Sequence, residues 1–196
     1  MIPPMFVGAL DSGVSQDLDR ATAALEESGY AGETVTPQFP SDNPVGGVEF
    51  TPVAERVQAQ LKNAGISAEL APAPFATEIE PYVNGQEAFS MWYWGPDFAD
   101  SSSFLPFGPG KKVGLRAGWE ADAAPEIAEL VTAAEDATSM DEREHAMREY
   151  ATAMQEEGPF VPLIVPGINL ASDSTVTNVQ NNTNWTLDIP LIQPAG

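Results

Sequence analysis

Apolar residues recur along this chain at helical spacing in four main places, with short runs suited to strands between them. Leu18, Ala21 and Leu25 share one face of a helix predicted from Asp17 to Ser28, and Gly29 stands where a left-handed residue would end it. Val53, Val57, Leu61 and Ala64 form a second stripe, with Thr51 as N-cap, Pro52 at the first helical position and Gly65 as the stop. Ile127, Leu130, Val131 and Ala134 make the third. The fourth begins at the capping-box spacing of Ser139 and Glu142, turns Met140, Met147, Tyr150 and Met154 inward, and stops at Gly158-Pro159.

Strand-like runs fill the gaps. Thr34 to Phe39 is extended, and its internal Pro37 predicts a sheet edge. Ile66, Ala68 and Leu70 alternate as a half-buried strand does. A short helix around Phe75 to Ile79 and a turn at Asn84-Gly85 lead to the aromatic run Phe89 to Trp94, which Gly95-Pro96 must end. Phe160 to Val165 is apolar throughout, and Ile168 to Ala171 reads as a last strand. Leu25 to Tyr30 and Leu61 to Ile66 repeat one order, helix, glycine, strand, so the class predicted is α/β with a mixed sheet flanked by helices.

Chemistry concentrates at the end of the aromatic run. Asp97 and Asp100 follow Trp92, Tyr93 and Trp94 at once, just past a strand end, where open α/β sheets present ligand-binding groups. Asp100 before Ser101-Ser-Ser103 also suits a helix N-cap, with Phe104, Leu105 and Phe107 buried behind it. A carboxylate flanked by Trp92, Trp94 and Phe98 can pair with an ammonium group while the rings pack against its carrier. Two acids in proximity also allow a carboxylate-dependent hydrolase, provided that one has a raised pKa. The glycine-rich, basic stretch Phe107 to Gly114 lacks the order of a phosphate-binding loop and reads as a surface loop.

Composition narrows these options. The 196 residues carry 29 acidic against 8 basic side chains, a formal charge of -21 that argues against nucleic acid and anionic membrane surfaces. Twelve of the acids lie between Trp119 and Glu157, on helical faces that suit water. Without cysteine, and with His145 as the only histidine on a face shared with Glu142, Glu144 and Glu149, a zinc site and a Ser-His-Asp triad find no support. No cofactor is expected. No run approaches the ~20 apolar residues of a membrane-spanning helix, and no targeting segment opens the chain, which places the protein in the cytoplasm or its targeting segment outside this sequence. The stiff apolar opening Met1-Ile-Pro-Pro-Met-Phe6 suits the interior of a longer protein. From Ser172 onward the chain is polar, anchored by Val176, Val179, Trp185, Leu187, Ile189 and Leu191, with glycosylation-type triplets at Asn181 to Thr183 and Asn184 to Thr186.

Several motifs in series resemble one family. Ala24 to Tyr30, Gln58 to Ile66, Trp94-Gly-Pro-Asp-Phe-Ala-Asp100 with Phe104-Leu105, Asp141-Glu-Arg143 and Gly158 to Leu163 are similar to the extracytoplasmic solute-binding proteins of peptide and nickel ABC importers. The resemblance implies one lobe of a two-lobed periplasmic-binding-protein-like fold, with residues 1–171 as a carboxy-terminal ligand-binding lobe and 172–196 as a polar tail returning toward the first lobe. It implies a monomer outside the cytoplasm that binds a small peptide between its lobes and delivers it to a membrane permease, with no bond made or broken. Asp97 of the Trp-x-x-Asp motif would pair with the peptide's amino terminus, and Trp94 would wall the cleft. The Gly108 to Arg116 stretch matches no family motif. A nickel chelate or another solute is the alternative ligand within the family.

Overall fold

A computed structural model describes residues 1–182 and 186–195. The chain opens with α1 (Leu18–Ser28), held at its start by the Asp17 carboxylate, which accepts from Arg20 N at 2.9 Å, and ended by Gly29 at φ 72°. Next come β1 (Gln38–Pro40), α2 (Phe50–Asn63), β2 (Ala71–Ala73) and α3 (Phe75–Val83). β1 and β2 are parallel, with Gln38 opposite Ala71 and Pro40 opposite Ala73. On the other side of β1, Gln38 N donates to the Phe89 carbonyl and Met91 N to the Gln38 carbonyl, both at 2.9 Å, so the Phe89–Met91 segment joins as a parallel neighbour.

Pro37 therefore lies in the middle of this small sheet, not at the edge that its ring predicted. Its carbonyl accepts from Ala71 N at 3.0 Å, and only the bond that a proline nitrogen cannot give is lost. Phe39 and Met91 from the sheet pack with Ala54 of α2 in a small buried cluster. α2 starts at Phe50 after Glu49, so Thr51 is inside the helix and not its cap.

The larger core is helical. A 3-10 helix (Ser101–Phe107) leads to α4 (Lys112–Arg116), α5 (Pro125–Asp136) and α6 (Met140–Glu156). Ile127 and Val131 of α5 meet Met147, Tyr150 and Met154 of α6, all at most 1% exposed, and Phe104, Leu105, Phe107 and Ile2 close the cluster. Ser139 and Glu142 form the expected capping box. Met140 is 65% exposed, because it precedes the part of α6 that α5 covers.

Phe107 to Gly114 is not the surface loop expected of it. Pro109 and Val113 are fully buried, and a Cβ on Gly114 would fall 2.1 Å from the Gly108 carbonyl oxygen, so these glycines serve close packing. Phe160–Val165 and Ile168–Ala171, both expected as strands, form none. The first is interrupted by Pro162 and followed by Pro166, and Val161, Ile164 and Val165 are 79%, 57% and 60% exposed. An apolar run becomes a strand only where another backbone pairs with it, and among the described residues none does. Beyond it, β3 (Val176–Thr177) pairs antiparallel with β6 (Gln193–Pro194), and β4 (Asn181–Asn182) with β5 (Thr186–Leu187). Trp185 and the threonine of the first glycosylation-type triplet lie outside the described residues, as do the first two residues of the second triplet.

Two measurements test these contacts. The Tyr150 hydroxyl donates to the Phe104 carbonyl at 3.0 Å inside the core, so Y150F is expected to lower the unfolding free energy in urea by about 1–3 kcal/mol. The ion pairs among the described residues are few for a chain of charge -21, and repulsion among the remaining acids is screened by salt. The melting temperature is expected to rise between about 0.02 M and about 1 M sodium chloride; a fall would mean that the surface ion pairs outweigh the repulsion.

Candidate functional site

The three parallel segments end on the same side, and the chain leaving each of them builds one pocket. Pro40 ends β1 and Asn43 follows it, Phe75 follows β2, and Trp92, Tyr93 and Trp94 follow Met91. Ile79 and Tyr82 of α3, Phe50 of α2 and Arg116 of α4 complete a pocket of about 320 Å³. This is the position that parallel sheets give to ligands, because the loops at the carboxyl ends diverge there.

The walls are aromatic and fixed against one another. Trp92 stacks on Tyr82 with ring centroids 4.1 Å apart and meets Phe75 edge-on at 5.9 Å. Its Nε1–H donates to Glu87 Oε2 at 2.9 Å. Trp94 is shared between pocket and core: it meets Phe107 edge-on at 5.0 Å, and its Nε1–H donates to the Ser103 carbonyl at 3.1 Å. The Arg116 guanidinium lies 4.7 Å from the Tyr82 ring centre and has no carboxylate partner among the described residues. Among the described residues it is the one charged group lining the pocket.

The sequence-derived site residues divide here. Trp92 and Trp94 line the pocket, whereas Asp97 and Phe98 lie outside its lining and are exposed. At ~3.5 Å per residue, Asp97 is within about 10 Å of Trp94. The Phe98 carbonyl accepts from Asp100 N at 2.8 Å and from Ser103 Oγ at 3.1 Å, which folds the Trp94–Asp100 segment back onto the core. Asp100 is the predicted N-cap: its Oδ1 accepts from Ser102 N at 2.8 Å and Ser102 Oγ at 2.7 Å, and it pairs with Arg143. Burial works to raise its pKa, but the Ser102 hydroxyl and amide and the Arg143 charge outweigh that and hold it below the usual aspartate value. A carboxylate so held is no general acid, which leaves the hydrolase reading without its proton donor at Asp100.

Arg116, Tyr82 and Phe75 were not singled out from sequence. Arg116 stood in the basic stretch without a motif, and no periodicity brings positions 75, 82 and 116 together; only the fold does.

A profile described as bacterial extracellular solute-binding proteins, family 5 Middle, matches residues 1–112, more than half of the chain. The chain belongs to this family. No curated protein matches it in sequence. Among solved structures, this solute-binding chain is similar to Burkholderia pseudomallei OppA, with a TM-score of 0.76 and 16% identity, over 98% of this chain and 39% of that one. It is similar to a dipeptide-binding protein from a Pseudoalteromonas species in complex with Met-Leu, at 0.75 and 18%, over 98% and 39%. It is likewise similar to DppA from Helicobacter pylori in complex with the peptide STSA, at 0.74 and 18%, over 98% and 38%. At these identities the likeness is one of fold, a lobe of the periplasmic-binding-protein type, and the solute-binding chain spans under two-fifths of those proteins.

The Asp100 assignment has a direct check. D100A removes the cap and strands Arg143, and is expected to cost about 0.5–2 kcal/mol of stability. Because the native pKa is depressed, the stabilisation from this group is present above the unfolded-state value and is lost as pH falls through the native one. The wild type is therefore expected to lose stability below pH 3.8 faster than D100A does, measured by urea titration across that range.

Proposed function

We propose that this chain is the ligand-binding lobe of an ABC-importer solute-binding protein that holds short peptides outside the cytoplasm and passes them to a membrane permease. The observation that carries this reading is the aromatic pocket with Arg116 as its sole charge, set at the carboxyl ends of the parallel segments and followed directly by Asp97. Rings without an acid among them take an apolar side chain, and Arg116 takes a carboxylate. Asp97, three residues past Trp94 in sequence, takes the amino terminus.

Residues 1–171 form the lobe in this reading and residues 172–196 return toward a second lobe. The exposed apolar run from Val161 to Leu170 supports it, since such a run needs another backbone and apolar surface to cover it. Binding proceeds by lobe closure, driven by the ligand's higher affinity for the closed form, with no covalent step.

The test is calorimetric titration of the complete two-lobed protein with a pool of dipeptides and tripeptides and with the same pool N-acetylated. Free peptides are expected to bind, and acetylation or D97N to weaken them roughly tenfold to a hundredfold. The two changes together should cost no more than either alone, because both remove one interaction. Equal binding of free and acetylated peptides would remove the amine anchor from Asp97; no binding of any peptide would remove the peptide reading.

A further inference from the structure

Two carboxyl groups lie buried beside the pocket with no cation to account for them. Glu78 of α3 and Glu87, just past that helix, are each 7% exposed. Neither belongs to an ion pair among the described residues. Glu78 Oε2 and Glu87 Oε1 are each buried without a hydrogen-bond partner. The other Glu87 oxygen, Oε2, accepts from Trp92 Nε1. Neither glutamate lines the pocket, but Trp92 does, and Tyr82, one turn beyond Glu78 on the same helix face, stacks on the face of the indole.

Buried oxygens left unpaired are rare, and two of them on adjacent carboxyls have a common remedy. A single proton held between the groups removes one of two like charges and supplies the missing donor. We propose that Glu78 and Glu87 form a proton-sharing pair that positions Trp92, so that the pocket's aromatic wall is fixed in the protonated state and loosened when the proton leaves. With the proton in place, Glu87 keeps Oε2 aimed at the indole. Without it, repulsion turns one carboxylate toward water and the hold on Trp92 goes with it.

The surroundings agree. Burial first, then the nearness and charge of the Glu87 carboxyl, raise the Glu78 carboxyl to about 6. The other charged or titratable groups on the elements around the pair are Glu80 and Tyr82 on α3, Tyr93 beside Trp92, Asp42, which accepts from Phe75 N at the start of α3, and Lys112 and Arg116 on α4, which packs against Gly85. None of these contributes to the rise. Glu78 and Glu87 thus act as positioning residues for the pocket. The consequence for ligand affinity rests on the function proposed above; the positioning of Trp92 does not.

The test uses the ligand-free full chain labelled with nitrogen-15 tryptophan, with the Trp92 indole N–H assigned by its loss in W92F. Between pH ~4.5 and ~8 its resonance is expected to move with a midpoint of about 6, and to do the same in H145Q, which removes the sole imidazole. E78Q, whose amide donates to Glu87 at every pH, is expected to hold the resonance at its low-pH position, and E87Q to abolish the titration. Should E78Q fail to fold by circular dichroism, E87Q decides. A flat wild-type profile, a titration unchanged in the folded variants, or displacement of the resonance by calcium or magnesium at constant pH would overturn the proposal. A titrating Trp92 in a chain that binds no peptide would overturn the peptide reading alone.

Discussion

Asp100 joins the two halves of this structure. Its carboxylate stops the segment that leaves the sheet through Trp92 and Trp94, starts the 3-10 helix that buries Phe104, Leu105 and Phe107, and takes the Arg143 guanidinium from α6. Beside that cap, the Ser103 bonds to the Trp94 indole and the Phe98 carbonyl and the Asp100 amide bond to the same carbonyl hold the course of the chain between Trp94 and Phe104. The position of the pocket wall thus depends on a contact made at its far end, in a different layer of the molecule. A binding site on a loop gains precision in this way, when the loop is tied at both ends to packed elements.

The packing is unequal on the two sides of that junction. The helical side buries a continuous cluster from Ile2 to Met154, whereas the sheet side rests on Phe39, Ala54 and Met91 with partly buried neighbours. α1 buries no residue, and the run from Val161 to Leu170 leaves large apolar side chains in water. A thin sheet layer beside a dense helical one puts the compliant part of the molecule next to the pocket. That is where a site that closes around its ligand can tolerate movement.

How much the sequence disclosed follows from the range of the forces involved. Helices α1, α2, α5 and α6 were legible because their signals are local: a stripe repeated every turn, the Ser139–Glu142 box, a glycine at the stop. Asp100 was legible as a cap for the same reason. The strands were read less well, because a strand depends on a partner that local sequence does not name. Pro37 sits centrally because two segments happen to flank it, and Phe160–Val165 stays unpaired because none does. In the pocket, Trp92 and Trp94 were legible as aromatics at a strand end. Tyr82, Arg116 and the Glu78–Glu87 pair became visible only once α3 and α4 were laid against the same strand ends.

The charge distribution gives the pocket a direction. In a chain of charge -21 an ammonium group is attracted from almost every approach, so attraction to acids alone carries little orientational information beyond the ~8 Å over which salt screens it. A carboxylate is repelled nearly everywhere, and Arg116 is the one charge in the aromatic pocket. On the peptide reading, the rare charge does the orienting: the carboxylate end is admitted only at Arg116, and the amino end then falls toward the acidic side, where Asp97 follows the pocket wall in sequence. On that reading the excess of acid makes a single arginine sufficient to decide which way round a zwitterion lies.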